Sequence, residues 1–455
     1  MQHQSLSGLP NELLVLIMMY CDDLTKFVMH FVSKKLQYIT QNNQKNRDLG
    51  ISFVMYFIKN NFKHKKKNKI CALAAKEGWL SIVKWIREIG CGWDRLACAN
   101  AALNGHLDIL KWLRLNGCGW DRRVCKYAAK NNHLHILEWG YKNGCKWNTD
   151  TLISAAKNGH FEILKLAYKN SCESIINFQA CTNAAKNGHL DILKWLYGCT
   201  IQTLQNRFNW DTYICINAAN NGHLDVLKWA RENDCRWDWE VCYGAAKYGH
   251  IEVLKYAHEN GCDWDRDTCA TAALNEHFEI LKYARENGCD WDWKTCAYAA
   301  ENNHLEILKW AHDNGCEWDT RTCTSAAKNG HLDVLKYARE NGCYWDIRTC
   351  AAAALNGHLE TLQWLHENGC DWDESTCTNA AKNGHLDVLK YARENGCDWD
   401  KSICKYAVLG GHLLMLKWTL KNGCHWDKTA CMICAKSKGH TKIIEWLEKY
   451  SLKIK

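Results

Sequence analysis

The chain has 455 residues, of which 47% are apolar and 24% charged, which is ordinary for a folded protein. Because one compact core does not extend over this length, several domains or a repeat array are expected. Proline occurs once, at Pro10, and this favours an all-helical chain because proline disrupts helix interiors. Met1–Gln4 lacks the basic region of a signal peptide, so the 28 cysteines predict reduced thiols in the cytosol rather than a disulfide framework.

The net charge of +8 is concentrated at the N-terminus. Residues 1–69 hold 11 Lys/Arg and 4 Asp/Glu, whereas the remaining residues hold 47 and 46. This near-neutral remainder argues against a nucleic-acid-binding protein, which usually has a basic stripe along its length. The lysines between Lys63 and Lys69 are typical of a solvated linker, with a targeting or phosphate-binding patch as the alternative.

A repeat of 27 residues fills most of the chain. A Gly-His dipeptide or a close variant marks each unit, and Trp79 replaces the histidine in the first. The marker histidines are His106, His133, His160, His189, His223, His250, His277, His304, His331, His358, His385, His412 and His440. The spacing departs from 27 only at 29 (His160 to His189), 34 (to His223) and 28 at the end. Fourteen units therefore span residues 70–450.

One unit, Ser375–Asp400, shows the predicted structure of all. The small side chains of Cys377, Ala380 and Ala381 share one face of a first helix, which Asn383-Gly384 ends. A second helix presents Leu386, Leu389 and Ala392, with Val388 widening the apolar stripe. Gly396 suits a left-handed helix end, and Asp400 is placed to cap the next unit. Such short helices need neighbouring units for stability, so the pattern predicts an all-α solenoid.

These units resemble ankyrin repeats. The string AAKNGHLDVL over Ala380–Leu389 and the string GCDWD over Gly396–Asp400 are similar to ankyrin AAxxGHLEVV and GADVN. Ankyrin repeats have 33 residues, and the six missing here fall at the tip of the ankyrin β-hairpin. The resemblance therefore implies stub hairpins or plain loops, and a first-helix surface that carries more of the binding.

The N-terminal segment resembles an F-box. The matching residues are Leu9-Pro10-x-Glu12-Leu13-Leu14, Ile17, Asp23-Leu24, Phe27 and the string VSKKL that ends at Leu36. The resemblance implies docking on the Skp-type adaptor of a cullin–RING ubiquitin ligase. Its adaptor-facing residues would be Leu9, Pro10, Leu13, Ile17, Leu24, Val32 and Leu36. The alternative is a helical cap over the first repeat.

Together these features predict an F-box-like segment (5–48), a basic linker (49–69) and a repeat array (70–455). That order resembles proteins encoded by large DNA viruses of amoebae. The resemblance implies a substrate-recruiting ligase subunit that binds the adaptor, the cullin ligase and an unknown substrate protein. A scaffold or decoy with no ligase link is the alternative.

The repeated cysteines, histidines and tryptophans each have a structural and a functional interpretation. Cysteines with six residues between them (Cys-x6-Cys) do not match the spacing of zinc ligands, so buried packing thiols are favoured over a series of zinc sites. A histidine repeated thirteen times is typical of a structural element rather than a catalytic one. The tryptophans could stack on bases, but the neutral charge balance favours packing between units.

The irregular units are the best sequence indication of a specific contact. Ser171–Phe178 and the insertion in Cys199–Asn209 depart from the repeat, and we expect both in loops between units, where substrate contact and neutral drift are the two explanations. The candidate substrate-binding residues are Gln205 and Arg207 in the insertion, and the residues that follow the Ala-Ala pair, Leu103, Lys130, Asn220, Glu301, Lys328 and Leu355.

The sequence therefore predicts a protein-binding chain rather than an enzyme. We expect no catalytic residues, metal, cofactor, nucleic acid or membrane contact. We expect a monomer in the cytoplasm, the host's if the chain is viral, with the nucleus as the alternative compartment.

Overall fold

The computed structural model describes residues 71–88, 92–169, 178–202, 212–399 and 402–453. The F-box-like segment (5–48) and the basic linker (49–69) lie outside these ranges. Within them, all regular secondary structure is helical and no residue forms a strand, as the all-α prediction requires. None of these helices is long and apolar enough to cross a membrane. The chain divides into two compact units, residues 1–218 and 219–455.

The first unit contains residues 71–76, which are helical, and helices that run up to the division of the chain. Their bounds are α1 (Leu80–Glu88), α2 (Arg95–Leu103), α3 (Leu107–Leu115), α4 (Arg123–Lys130), α5 (Leu134–Lys142), α6 (Thr149–Lys157), α7 (Phe161–Lys169), α8 (Phe178–Lys186), α9 (Leu190–Gln202) and α10 (Thr212–Asn220), whose last two residues belong to the second unit.

The second unit continues the same alternation of helices. Their bounds are α11 (Leu224–Glu232), α12 (Trp239–Tyr248), α13 (Ile251–Glu259), α14 (Arg266–Leu274), α15 (Phe278–Glu286), α16 (Trp293–Glu301), α17 (Leu305–Asp313), α18 (Thr320–Asn329), α19 (Leu332–Glu340), α20 (Ile347–Asn356), α21 (Leu359–Glu367), α22 (Glu374–Asn383), α23 (Leu386–Glu394), α24 (Ser402–Leu409), α25 (Leu413–Lys421), α26 (Lys428–Lys438) and α27 (Thr441–Lys453).

The predicted helix–turn–helix–loop repeat is confirmed. Segment 71–76 and the even-numbered helices are the first helices, the odd-numbered helices are the second ones, and the fourteen pairs match the fourteen predicted units. In the pair α22–α23, Gly384 (φ 83°) ends the first helix and Gly396 (φ 88°) follows the second. Asp373 caps α22 by accepting a hydrogen bond from the Ser375 amide at 2.9 Å, and the loops between pairs that the structure describes in full contain no hairpin.

The core of each unit is a stack of small first-helix side chains beside a row of larger second-helix ones. First helices of successive repeats pack side by side along each unit. Cys377, Ala380 and Ala381 are buried in α22, and Val388, Leu389 and Ala392 are buried in α23, as predicted. Leu386 is only half-buried because it is the first residue of its helix.

Successive repeats are joined by a ladder of glycines and histidines. At ten marker histidines, Nε2 lies 2.9–3.3 Å from a carbonyl oxygen of the preceding repeat, that of the residue after the Ala-Ala pair or, for His440, after Ala407-Val408. The ring lies against the turn glycine of that repeat, so a Cβ on Gly330 would be 2.5 Å from Nδ1 of His358. These glycines also have a positive φ, such as 73° at Gly330. The predicted structural role of the histidines is confirmed, and the contact is between repeats.

Burial lowers the pKa of two ladder histidines. Desolvation is the largest cause at His133 and at His358, and the neighbouring ladder histidines lower the pKa further because their charges would repel. The backbone carbonyls that the two rings contact act in the opposite direction. The folded state therefore favours the neutral imidazole at these positions.

The two irregular regions differ in part from the prediction of inter-unit loops. Residues 199–202, the start of the insertion, extend α9 to 13 residues, because α9 lacks the Asn-Gly pair that follows most of the other second helices. Phe178 is the first residue of α8 rather than part of a loop. Residues 171–177 and 203–211, which include Gln205 and Arg207, lie outside the described ranges.

The last repeat ends in a longer second helix. Helix α27 has 13 residues, and its extra turn places Tyr450 on Trp446 with ring centroids 4.6 Å apart. Lys449 is exposed on the same helix.

Substituting Gly330→Ala should destabilise the array more than Gly342→Ala. Both glycines have a positive φ (73° and 87°), which costs alanine roughly 1–2 kcal/mol. Only Gly330 faces a histidine ring, whereas nothing lies within 4 Å of a Cβ on Gly342. Displacing that ring should cost about 1–3 kcal/mol more, and urea unfolding of the two variants measures the difference. Equal losses of stability would contradict the proposed ring contact.

Lowering the pH from neutrality should destabilise the array through its histidines. A histidine has an unfolded pKa of about 6.5, and His133 and His358 have lower values in the folded chain. The unfolded state therefore binds more protons below this pH, so stability is lost as the pH falls through it. Thermal unfolding between pH 7.5 and 5.5 should show a falling Tm. A double variant His133→Gln, His358→Gln should show a smaller decrease, and His425→Gln, an exposed position, should not change it.

Candidate interaction surface

The repeated cysteines are used up in packing within each repeat. Among the residues that the structure describes, all cysteines are free and buried except Cys434, which is half-buried. The Cys397 thiol donates to the Asp373 carbonyl at 3.2 Å and so links the end of a repeat to its beginning. The contact with the Cys397 thiol, together with burial, raises the pKa of Cys377. The prediction of packing thiols is confirmed, and its raised pKa makes the Cys377 thiol a poor nucleophile.

The loop tryptophans join neighbouring repeats. Trp399 meets Trp418 of the next repeat edge to face, with ring centroids 5.7 Å apart, and the same contact recurs between Trp93 and Trp112 at 5.8 Å. One face of most loop tryptophans is covered by a basic or imidazole side chain of the same repeat. Arg393 lies 4.9 Å above Trp399, and His366 stacks on Trp372 at 3.9 Å. Packing between units, the favoured interpretation, is confirmed.

What differs from repeat to repeat is the surface of the first helices. We call the exposed and half-buried side chains of the even-numbered helices the first-helix surface. Its positions carry tryptophan, arginine, isoleucine or threonine in different repeats, as at Trp239, Arg266, Thr320 and Ile347, while the buried alanines beside them stay constant. This surface combines a rigid backbone with side chains that are free to vary.

The structure places the six predicted groove residues at one position of this surface, near the end of each first helix. Lys130 and Lys328 are exposed, whereas Leu103, Asn220, Glu301 and Leu355 are half-buried. Their backbone carbonyl oxygens also contact the ladder histidines. Nε2 of His133 lies 3.1 Å from the Leu103 oxygen, and Nε2 of His331 lies 3.0 Å from the Glu301 oxygen. Their side chains thus project from fixed points that recur once per repeat.

An aromatic group that was not predicted from the sequence lies on this surface in the second unit. Trp239 is 43% exposed and meets Tyr243 edge to face at 5.8 Å. Two repeats on, Trp293 is half-buried beneath Arg321, which lies 3.2 Å from its ring centroid. Exposed aromatic side chains are typical anchors of protein interfaces. Trp239 and Trp293 are the first residues of their helices, whereas the other tryptophans that the structure describes lie in loops or on second helices. This difference in position is the sequence signal that identifies them.

Potential metal ligands do not cluster in the described part of the chain. No group of three or more His, Cys, Asp or Glu side chains there could hold a metal ion. The charged side chains form simple ion pairs across neighbouring first helices, such as Lys294 with Asp267 at 2.7 Å. The surface offers shape, aromatic anchors and charge, which are the means of protein recognition.

The adaptor-binding residues predicted from the F-box resemblance have no structural counterpart here. Leu9, Pro10, Leu13, Ile17, Leu24, Val32 and Leu36 lie outside the described ranges.

Comparison with known proteins agrees with the repeat geometry. A family model described as "Ankyrin repeats (3 copies)" matches residues 125–207, 178–268, 296–376 and 349–455. A crystal structure of the human ASB11 ankyrin repeat domain is similar, with 16% identity over 34% of this chain and 84% of that one and a TM-score of 0.30. No curated protein matches this chain. The family model covers more than half of the residues, and the chain therefore belongs to the ankyrin-repeat family.

Proposed function

We propose that this chain is a non-catalytic scaffold that binds proteins through its first-helix surface. The observation that carries the proposal is the division of labour within each repeat. The residues that recur in most repeats, His, Cys and Trp, are engaged in contacts that hold the array together. The residues that vary are exposed on the first helices, among them Trp239 and Ile347. A surface that varies on a constant frame suits selective recognition of a partner.

Replacing exposed apolar side chains of the first-helix surface should remove partner binding. In a double variant Trp239→Ser, Ile347→Ser, two exposed anchors at the first positions of α12 and α20 are lost. An aromatic interface anchor such as Trp239 contributes about 2 kcal/mol or more, so capture of bound proteins should fall by at least about tenfold. Affinity capture from amoebal lysate by the full chain, quantified by mass spectrometry, measures the change.

The matched control removes apolar side chains that are more exposed but lie elsewhere. Tyr344 is 75% exposed in a loop, and Leu414 is 72% exposed on the second helix α25. Tyr344→Ser with Leu414→Ser should leave capture unchanged. If the control variant loses the partners and the Trp239 variant retains them, the loops and second helices form the binding surface and the proposal is wrong.

We further propose that residues 5–48 act as an F-box, so that the array recruits a substrate to a cullin–RING ubiquitin ligase of the host cell. The support is the sequence match at Leu9-Pro10, Leu13, Ile17 and Leu24, placed N-terminal to a protein-binding array. The chain would act by proximity, since the chemistry of ubiquitin transfer belongs to other subunits. A scaffold or decoy without a ligase link remains the competing proposal.

A variant Leu9→Asp, Leu13→Asp of the full chain should lose binding to a purified Skp-type adaptor, because two charges would replace apolar adaptor-facing side chains. Binding is measured by titration of the labelled adaptor. The Trp239→Ser, Ile347→Ser variant should bind the adaptor as the parent chain does, since its N-terminal segment is intact. Failure of the parent chain to bind would identify the segment as a cap and favour the decoy.

A further inference from the structure

The first-helix surface of the first unit carries a larger net positive charge than the second helices of the same repeats. Helices α2, α4, α6 and α8 carry six basic residues and one acidic residue. The second helices of the same repeats, α3, α5, α7 and α9, carry six basic and four acidic residues. The excess of positive charge therefore lies mainly on the first-helix surface of this unit. It is not apparent from the near-neutral total charge of the array.

Three of these lysines form a regular row. Lys130, Lys157 and Lys186 occupy the same position in three successive first helices, and all three are exposed. Leu103, which is half-buried, holds this position in the preceding repeat. Stabilisation of helix ends explains a lysine near a C-terminus, but it does not explain Lys126 in the middle of α4 or Arg95 and Arg123 at the first positions of α2 and α4.

The row is rigidly spaced. The histidine ladder fixes its backbone, with Nε2 of His160 2.9 Å from the Lys130 carbonyl and Nε2 of His189 3.1 Å from the Lys157 carbonyl. Packed helices lie about 8–10 Å apart, so neighbouring lysines of the row recur at about this distance. A peptide in the extended polyproline II conformation has three residues per turn and rises about 3.1 Å per residue, so every third side chain lies on one face and recurs at about 9 Å.

Apolar side chains lie between the basic ones. Leu96, Tyr127 and Ile153 are half-buried on the same first helices. One carboxylate also lies on this surface, that of Asp150 at 3.7 Å from Lys126, and in the loop before α4 the Asp121 carboxylate accepts from the Arg123 guanidinium at 2.8 Å. Apolar contacts with carboxylates among the cations suit a peptide better than a continuous phosphate backbone.

We propose that the first-helix surface of repeats 2 to 5 binds an extended acidic segment of a partner protein, with acidic side chains at about every third residue facing Lys130, Lys157 and Lys186. This deepens the proposed scaffold function and rests on it. Charge argues against the chain's own N-terminal segment as the occupant, because residues 1–69 hold 11 basic and 4 acidic side chains. A second copy of this chain, with a net charge of +8, is disfavoured for the same reason.

The test measures binding of a fluorescent peptide with Glu at every third position to the full chain by anisotropy. A triple variant Lys130→Gln, Lys157→Gln, Lys186→Gln should bind at least about tenfold more weakly, since each exposed ion pair contributes up to about 1 kcal/mol. The matched control is Lys111→Gln, Lys165→Gln, Lys194→Gln, which removes the same charge from exposed second-helix positions and should bind as the parent does. Binding should weaken as salt is raised.

Three results would overturn the proposal. The first is equal loss of binding in both triple variants, which would show a general charge effect. The second is equal affinity for a peptide whose glutamates form one block, which would remove the spacing argument. The third is tighter, row-dependent binding of a single-stranded oligonucleotide of the same charge, which would identify a nucleic-acid surface. None of these affects the capture experiment on Trp239 and Ile347, which tests the scaffold function in the second unit.

Discussion

The contact on which each unit depends is the histidine ring that lies against a glycine of the preceding repeat and bonds to its last free helix carbonyl. At Gly105, a Cβ would meet the His133 ring at 2.8 Å, so a side chain there would require the ring to shift. The same glycine needs a positive φ (85°) to end the first helix and begin the turn. One residue thus meets two requirements, a backbone conformation and a space for its neighbour. Helices of nine residues such as α2, too short to be stable alone, are held in this way.

The variations in the ladder show which requirement is the stricter. In three repeats another residue replaces the glycine and keeps a positive φ: Asn132 (61°), Glu276 (62°) and Asn303 (64°). Asparagine tolerates this conformation better than most residues, whereas Glu276 does not share that property. Nδ1 of His304 lies 3.9 Å from the Glu276 carboxylate, a contact that a protonated ring would strengthen. The backbone conformation is therefore retained even where the side chain changes.

The division between frame and surface follows from this construction. Small alanines and thiols let first helices approach closely, and the loop tryptophans and their Arg or His covers join the outer edges of the repeats. With these interactions satisfied internally, substitutions on the first-helix surface cost the fold little, as is usual for exposed positions. Aromatic anchors in the second unit and basic side chains in the first can therefore coexist on the same kind of repeat.

Much of this organisation could be predicted from the sequence. A local pattern repeated fourteen times identifies the helices, their ends at Asn-Gly pairs, the buried cysteines and the structural histidines, because each depends on neighbours close along the chain. The residues after the Ala-Ala pair stay predicted substrate contacts. The N-terminal F-box and its adaptor residues stay a prediction.

Other features were decided only by tertiary structure. The sequence alone could not show that His133 bonds to Leu103, 30 residues away, since periodicity identifies a repeated residue but not the repeat that it contacts. Nor could it show that α9 continues into the insertion, or that Trp239 stands on the outward side of α12 while Trp399 packs between repeats. The near-neutral total charge likewise hid the basic first helices of the first unit. The sequence determined which residues recur and hence the repeat itself; the packing of one repeat on the next decided which side chains are buried in the frame and which are left on the surface to bind, because burial depends on contacts between residues that are distant in the chain.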